Sequence, residues 1–354
     1  MQKRQFLATA ASLTALSSTP WLAGCASRRT KTAVKPAELI YYGGPILTMN
    51  DAQPQVEAVA VSAGMITAIG SAQELEALRG AATRMVDLRG RTLIPGFVDP
   101  HSHIGGVGLQ AISANLLPPP DGGNASIADL QQTLREYIQT SPEVKQLGIV
   151  LGFGYDDSQL QERRHPTRDD LDAVSRDLPI AVIHQSGHFG ALNSAALAHA
   201  GIGPGTPNPE GGVIRRRAGS PVPNGVLEEN AFFHSLGRIM PKLTLEQSMD
   251  WLEKAQQLYL EFGYTTVQDG RSDAGAIASA MAAAESRRLV IDVVSYPDIL
   301  QLGDGALANK LKFSRSYTNR FRIGGVKLTL DGSPQGKTAC LTEPYLVPPD
   351  GQKA

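Results

Sequence analysis

Residues 93–105 read LIPGFVDPHSHIG. The strand formers Leu93, Ile94, Phe97 and Val98, interrupted by Pro95 and Gly96, lead into His101 and His103, one residue apart. In an extended segment, side chains at i and i+2 point the same way, so the two imidazoles face one point and can close on one metal ion. Taken alone, an HxH is also found as two histidines on one face of a loop, because imidazole ligands ordinarily need partners from elsewhere in the chain. What decides between the two is whether the remaining sequence supplies those partners and a fold to hold them.

An apolar strand, a Pro-Gly break and then Phe-Val-Asp-x-His-x-His resemble the end of the first barrel strand in the amidohydrolase superfamily of metal-dependent hydrolases. The segment 184–197, HQSGHFGALNSAAL, carries a Gly-His-x-x-x-x-Asn-Ser-x-Ala-Leu pattern at Gly187, His188, Asn193, Ser194, Ala196 and Leu197. That pattern resembles amidohydrolase family 3, the branch that contains N-substituted formamide deformylase. His165-Pro166-Thr167-Arg168, Asp170-Leu171-Asp172, Pro209-Glu210-Gly211-Gly212 and Gly225-Val226-Leu227-Glu228 fit the same branch, and so does Lys-x-x-x-Asp-Gly-Ser at Lys327, Asp331, Gly332 and Ser333.

The resemblance implies a divalent metal, zinc as one or two ions, bound by His101, His103 and Lys327. The lysine would act as a carboxylysine: a free ammonium repels a cation, whereas its CO₂ adduct is an anionic ligand that bridges two metals. His188 and Asp331 are candidates for the substrate pocket; for His188 the plain alternative is a histidine that caps or packs locally. The region between the HxH and the next barrel strand, about 106–243, is an insertion over the active site in these relatives. Arg215, Arg216 and Arg217 within it form either a contact for an anionic substrate or, as the commoner case, a solvated charge run.

Periodicity supports an α/β fold. Short apolar segments at 38–42, 45–49, 56–62 and 65–69, a short helix at 72–78 and a strand at 84–88 make residues 37–92 a compact β-rich piece. It resembles the N-terminal part of the β-sandwich that flanks amidohydrolase barrels. After His103 the glycines 105, 106 and 108 and Pro118–Pro120 read as a loop. A helix follows from a Ser126 cap, with strands at 148–153 and 178–183. Thr244 caps a strong helix with Leu245, Met249, Leu252, Ala255, Leu258, Tyr259 and Phe262 inward, and Gly263 stops it. Strands at 264–268, 289–296 and 321–330 alternate with an alanine-rich helix at 274–287, which argues for a parallel barrel. Residues 93–354 therefore read as an incomplete TIM-like (β/α) barrel of about the first four strands plus the insertion.

Composition excludes some partners. The 354 residues are 42% hydrophobic and 19% charged with a formal charge of -1, and no basic stripe marks a nucleic-acid face. Residues 1–25 read as a signal peptide: Lys3 and Arg4, an apolar stretch, then Leu-Ala-Gly-Cys ending at Cys25, which resembles a bacterial lipobox. Residues 26–36 are a polar tether. These features predict export to the bacterial periplasm or cell envelope, with the membrane met only through a lipid on Cys25.

The superfamily also uses histidines after strands five and six and an aspartate after strand eight as general base, whereas the last histidine here is His234. The expected function is hydrolysis of a non-peptide, amide-type C–N bond in a small molecule, with this chain as the N-terminal portion of such an enzyme. A C-terminal fragment from an adjacent reading frame is the partner implied. The alternative is a catalytically inactive truncated member or a lipid-anchored binding module, and no catalytic residue is assignable.

Overall fold

The computed structural model describes residues 35–299, 302, 311–328 and 339–346. They form a mixed α/β structure that divides between Pro95 and Gly96 into two compact units.

In the first unit, β1 (Leu39–Leu47), β2 (Gln55–Ser62), β3 (Met65–Gly70), α1 (Ala72–Glu76) and β4 (Arg84–Asp87) build one sheet in the order β3-β2-β1-β4. Ile40, Ala58 and Ala60 pack with Leu75 of α1, while Ile46, Val56, Val59 and Leu88 form a second cluster. The two strands expected at 38–42 and 45–49 are one strand. Gly43 takes φ +80° and the register slips between Tyr42 and Ile46, so the glycine pair bulges the strand without turning it.

The second unit opens with β5 (Phe97–Ser102), which carries His101. The glycines after His103, expected as a loop, form α2 (Ile104–Ala111). Glycine weakens a helix, but a Cβ on Gly108 would stand 3.2 Å from the Trp251 carbonyl oxygen, so the missing side chain lets α2 lie close against its neighbouring helix.

A second sheet follows. Its elements are β6 (Ala114–Asn115), α3 (Ile127–Thr140), α4 (Pro142–Leu147), β7 (Val150–Tyr155), α5 (Arg168–Asp172), β8 (Ile180–His184), β9 (Phe189–Leu192), α6 (Ser194–His199), β10 (Gly212–Arg216), β11 (Pro223–Glu229) and α7 (Asn230–Ile239). The strand order is β10-β11-β9-β8-β7-β6, with β6, β7 and β8 parallel and the others antiparallel. Both faces of its central strands are covered. Leu151, Ala181 and Ile183 join one buried cluster, and Val150, Ile180 and Val182 join another. Side chains that alternate across a doubly covered sheet give the unbroken apolar runs seen in the sequence.

The chain then forms α8 (Leu245–Glu261), β12 (Tyr264–Ser272), α9 (Ala274–Glu285), β13 (Asp292–Pro297) and β14 (Phe321–Ile323). With β5 they give a sheet ordered β14-β13-β12-β5, parallel at every pairing. Thr244 and Gln247 make the reciprocal cap of α8, and Met249, Leu252, Ala255 and Tyr259 are buried as expected. Leu245 and Phe262 are not; they occupy the first helical position and the C-cap and remain exposed. Thr244→Ala should destabilise the chain by about 1 kcal/mol, read as a lower midpoint in urea unfolding. Of the strand expected over 321–330, residues 321–323 are strand and 324–328 are not, while 329–330 lie outside the described residues. A Cβ on Gly324 would stand 2.6 Å from Val294 Cγ1 and 3.0 Å from the Tyr296 hydroxyl, and beyond Gly325 the chain rejoins β13's path by a single bridge from Lys327 to Asp298.

Candidate metal centre

Because β5, β12, β13 and β14 are parallel neighbours, their carboxyl ends lie side by side. His101 sits within β5, and His103 stands one residue past its end, where its carbonyl accepts the Val107 amide and begins α2. The two imidazole centroids are 5.5 Å apart with the rings at 80°, and both residues are open to solvent. Across the ladder, Asp269 of β12 is in register with Ser102, the residue between them. Ser102 is hydrogen-bonded to the Tyr259 hydroxyl, which ties this end of β5 to α8.

Asp269 is 4% exposed, and its carboxylate accepts the Ser272 hydroxyl at 2.6 Å. Burial holds its carboxyl above the usual range, against hydrogen bonds from Ser272 and the Arg271 and Ile104 amides. Protein packed around the His103 ring is the main reason that this imidazole lies below its ordinary value, even though the residue keeps open surface. Asp269 opposes that shift, while His101, Lys327 and Arg271 add to it. His103 therefore feels charges at the ends of β5 and β12 and that of Lys327 beyond β14.

Gly270 shows how closely the site is built. An added Cβ would lie 2.4 Å from Cε1, 2.6 Å from Nδ1 and 3.1 Å from Nε2 of His101, so the ring occupies the space that any side chain would need. The His101 imidazole is seated on this cradle with that of His103 next to it, and imidazole nitrogens are donors that a divalent ion takes. The structure thus brings His101, His103 and Lys327 to one end of one sheet. Lys327 is half-buried, and its amide donates to the Pro297 carbonyl at 2.8 Å. Asp331 and Cys25 lie outside the described residues.

His188 is elsewhere, in the turn between β8 and β9. Its Nδ1 is 2.9 Å from Glu229 Oε2, and its ring meets that of Phe233 edge-on. The arginine run is neither free nor merely solvated. Arg215 pairs with Glu228, Arg216 donates to the carbonyls of Pro204, Thr206 and Pro221, and Arg217 pairs with Asp169 at 2.6 Å.

A second group of metal-type side chains gathers where the parallel strands β7 and β8 end. Among the described residues, Asp156, Asp157 and His184 are the cluster whose ligand atoms all fall within 4.8 Å of one another. Neither aspartate drew notice from the sequence, and His184 did so only within a longer motif. The available signal was a doubled carboxylate directly after an apolar strand.

Set beside known proteins, the model of the amidohydrolase family matches residues 84–354. The chain belongs to the amidohydrolase family. It is 26% identical over 314 residues to the exoenzymes regulatory protein AepA of Pectobacterium carotovorum subsp. carotovorum, covering 87% of this chain and 66% of that protein. It is 30% identical over 235 residues to N-substituted formamide deformylase of Arthrobacter pascens, covering 66% and 42%. The putative amidohydrolase YtcJ of Bacillus subtilis is 27% identical over 312 residues, covering 86% and 56%. The chain thus spans between 42% and 66% of the length of these curated relatives. In fold it is similar to an uncharacterized metal-dependent hydrolase from Pyrococcus horikoshii OT3, with a TM-score of 0.63 at 24% identity over 87% of this chain and 57% of that one. Family membership rests on the model match over most of the chain. It also agrees with the reading taken from Phe97–His103 and Gly187–Leu197.

Proposed function

We propose that the chain carries the metal-binding front part of a hydrolase that cleaves an amide-type C–N bond in a non-peptide small molecule. One observation carries this reading: His101 and His103 stand side by side at the carboxyl end of a parallel sheet, with Gly270 cleared beneath the His101 ring. His101, His103 and Lys327, the last as its CO₂ adduct, would hold one or two zinc ions. A bound divalent ion would supply the acidified water and polarised carbonyl that such hydrolysis needs. The chain's own part is placement. Asp269 supplies negative charge beside His103, and the Ser102–Tyr259 hydrogen bond fixes the strand end from which both histidines project. The similarity to N-substituted formamide deformylase makes an N-substituted formamide the substrate class to try first. His188 and Asp331 remain the pocket candidates in this reading.

We read the parallel sheet as the first four strands of a TIM-like barrel. β5 is its edge among the described residues, with Phe97 47% and Val98 54% exposed, and in a closed barrel that edge is paired. The remaining strands would come from a further segment, such as the product of an adjacent reading frame. The first unit is the flanking β-sandwich part, and Cys25 is the point of lipid attachment at the cell envelope. Metal analysis and formate release from N-substituted formamides test the function. Zinc that departs with chelator and takes formate release with it supports the hydrolase. Zinc uptake without turnover assigns the inactive or binding role, and no zinc at all overturns the reading.

A further inference from the structure

A half-exposed cation stands beside the HxH pair. Arg271 is the next-to-last residue of β12 and directly follows Gly270, whose added Cβ would touch the His101 ring. Its side chain crosses to the neighbouring strand end, where Nε donates to Asp298 Oδ2 at 2.7 Å. Asp298 directly follows β13, its amide donates to the Ser272 carbonyl at 2.9 Å, and it is bridged to Lys327 in the segment after β14. The guanidinium therefore lies between the strand that seats His101 and the segment that carries Lys327.

The two partners differ in burial: the Asp298 side chain is 1% exposed and that of Arg271 is 49% exposed. A carboxylate closed to water must be compensated, and Arg271 contributes to that with one of the five N–H donors of its guanidinium. Among the described residues no hydrogen bond engages the other four, on Nη1 and Nη2. An arginine that serves a carboxylate alone is strongest when two parallel N–H groups meet both oxygens. Here one edge is anchored and the rest of the group is left unengaged in a half-exposed side chain.

A fixed positive charge this close to the imidazole pair works against a divalent cation there, and a bound anion offsets that repulsion. Guanidinium groups suit carboxylates, because the planar fork matches the two oxygens and stays charged at any working pH. An anchored Nε sets the direction of the remaining donors before a ligand arrives, which is how supporting hydrogen bonds make a binding group precise. The carboxyl ends of β12 and β13 are also where parallel strands of an α/β fold present ligand-binding groups.

Given the hydrolytic role proposed above for the HxH pair, on which this assignment rests, we propose that Arg271, held by Asp298, is a specificity-determining residue that binds a carboxylate of the substrate. The preferred N-substituted formamides are then those whose N-substituent is an anion.

Binding to the full chain, measured by calorimetry with and without zinc, should favour N-formylglycine over the neutral N-formylglycinamide by about 10–100-fold, the worth of a charge-assisted hydrogen-bonded pair. Arg271→Gln keeps a donor for Asp298 and should abolish the preference by weakening N-formylglycine alone. Arg271→Lys keeps the charge without the fork and should restore part of it. An arginine with a purely structural role would lower the melting temperature of Arg271→Gln and leave the preference as it was, which overturns the assignment. So does equal binding of the two formamides, or no binding of N-formylglycine. A preference seen only with zinc places the carboxylate on the metal and overturns it as well. Absence of formate release alongside a retained charge preference would count against the hydrolase reading and still support the anion site.

Discussion

Gly270→Ala is expected to weaken zinc at the His101–His103 pair by about 10–100-fold while leaving the fold in place. Gly270 lies inside β12, and its backbone is not in the left-handed region, so alanine meets no conformational penalty there. Removing a glycine even trims the entropy of the unfolded chain by about 0.4–1 kcal/mol. The cost falls on His101. A methyl placed 2.4 Å from Cε1 and 2.6 Å from Nδ1 forces the ring to rotate or slide, because neighbours on a paired strand have little room to retreat. A ligand displaced by a fraction of an ångström loses its share of the coordination, and changes just outside a ligand set typically lower metal affinity by 10–100-fold. Gly105→Ala is the control, since no atom lies within 4 Å of its added Cβ. Zinc titration that finds Gly270→Ala equal to Gly105→Ala would remove the cradle argument, and a parallel loss of melting temperature in Gly270→Ala alone would mean the strand itself had shifted.

The same glycine shows what could be read from sequence and what could not. His101 and His103 were legible because their spacing and the apolar strand before them encode a local geometry that any extended segment would share. Gly270 and Asp269 were visible only as the end of a strand. Their bearing on the histidines comes from a parallel register that joins residues more than 160 positions apart, and no local pattern carries that. The helix α2 was misread for a related reason. Gly105, Gly106 and Gly108 lower helix propensity, yet Gly108 is the residue that admits the Trp251 carbonyl, so the tertiary gain overrides the local signal. Asp156, Asp157 and His184 depend on the β7–β8 register in the same way. At 321–330 the apolar pattern suggested a long strand, but the close approach of Tyr296 to Gly324 and Gly325 ends it after Ile323.

Asn193→Ala should be among the most destabilising single changes in the chain, by about 3–5 kcal/mol, even though Asn193 belongs to the motif that suggested a functional segment. The side chain is fully buried. Its Oδ1 accepts the Ile180 amide at 3.0 Å and the Ala196 amide at 2.9 Å, so one oxygen starts β8 and caps α6. Its Nδ2 donates to the carbonyls of Ser175 and Leu178 at 2.8 and 2.9 Å, which holds the loop entering β8. Alanine abandons two amides and two carbonyls in a site closed to water, and each buried group left unmade costs about 1–3 kcal/mol before relaxation. Loss of the cap alone accounts for about 1 kcal/mol of the total. The neighbouring Ser194 extends the same device: its amide and hydroxyl both bond the Asp172 carboxylate, so the Leu-Asp and Asn-Ser pieces of the motif are two sides of one joint. Asn193→Asp separates shape from chemistry. The carboxylate keeps the two accepted amides but turns both donors into acceptors facing carbonyls, so it should be at least as damaging as alanine despite its nearly identical volume. Urea unfolding of both variants checks this, and an aspartate variant as stable as the parent would show that the amide donors do not hold the loop. If the joint is structural, zinc affinity at the His101–His103 pair will be unchanged in whatever fraction of Asn193→Ala remains folded.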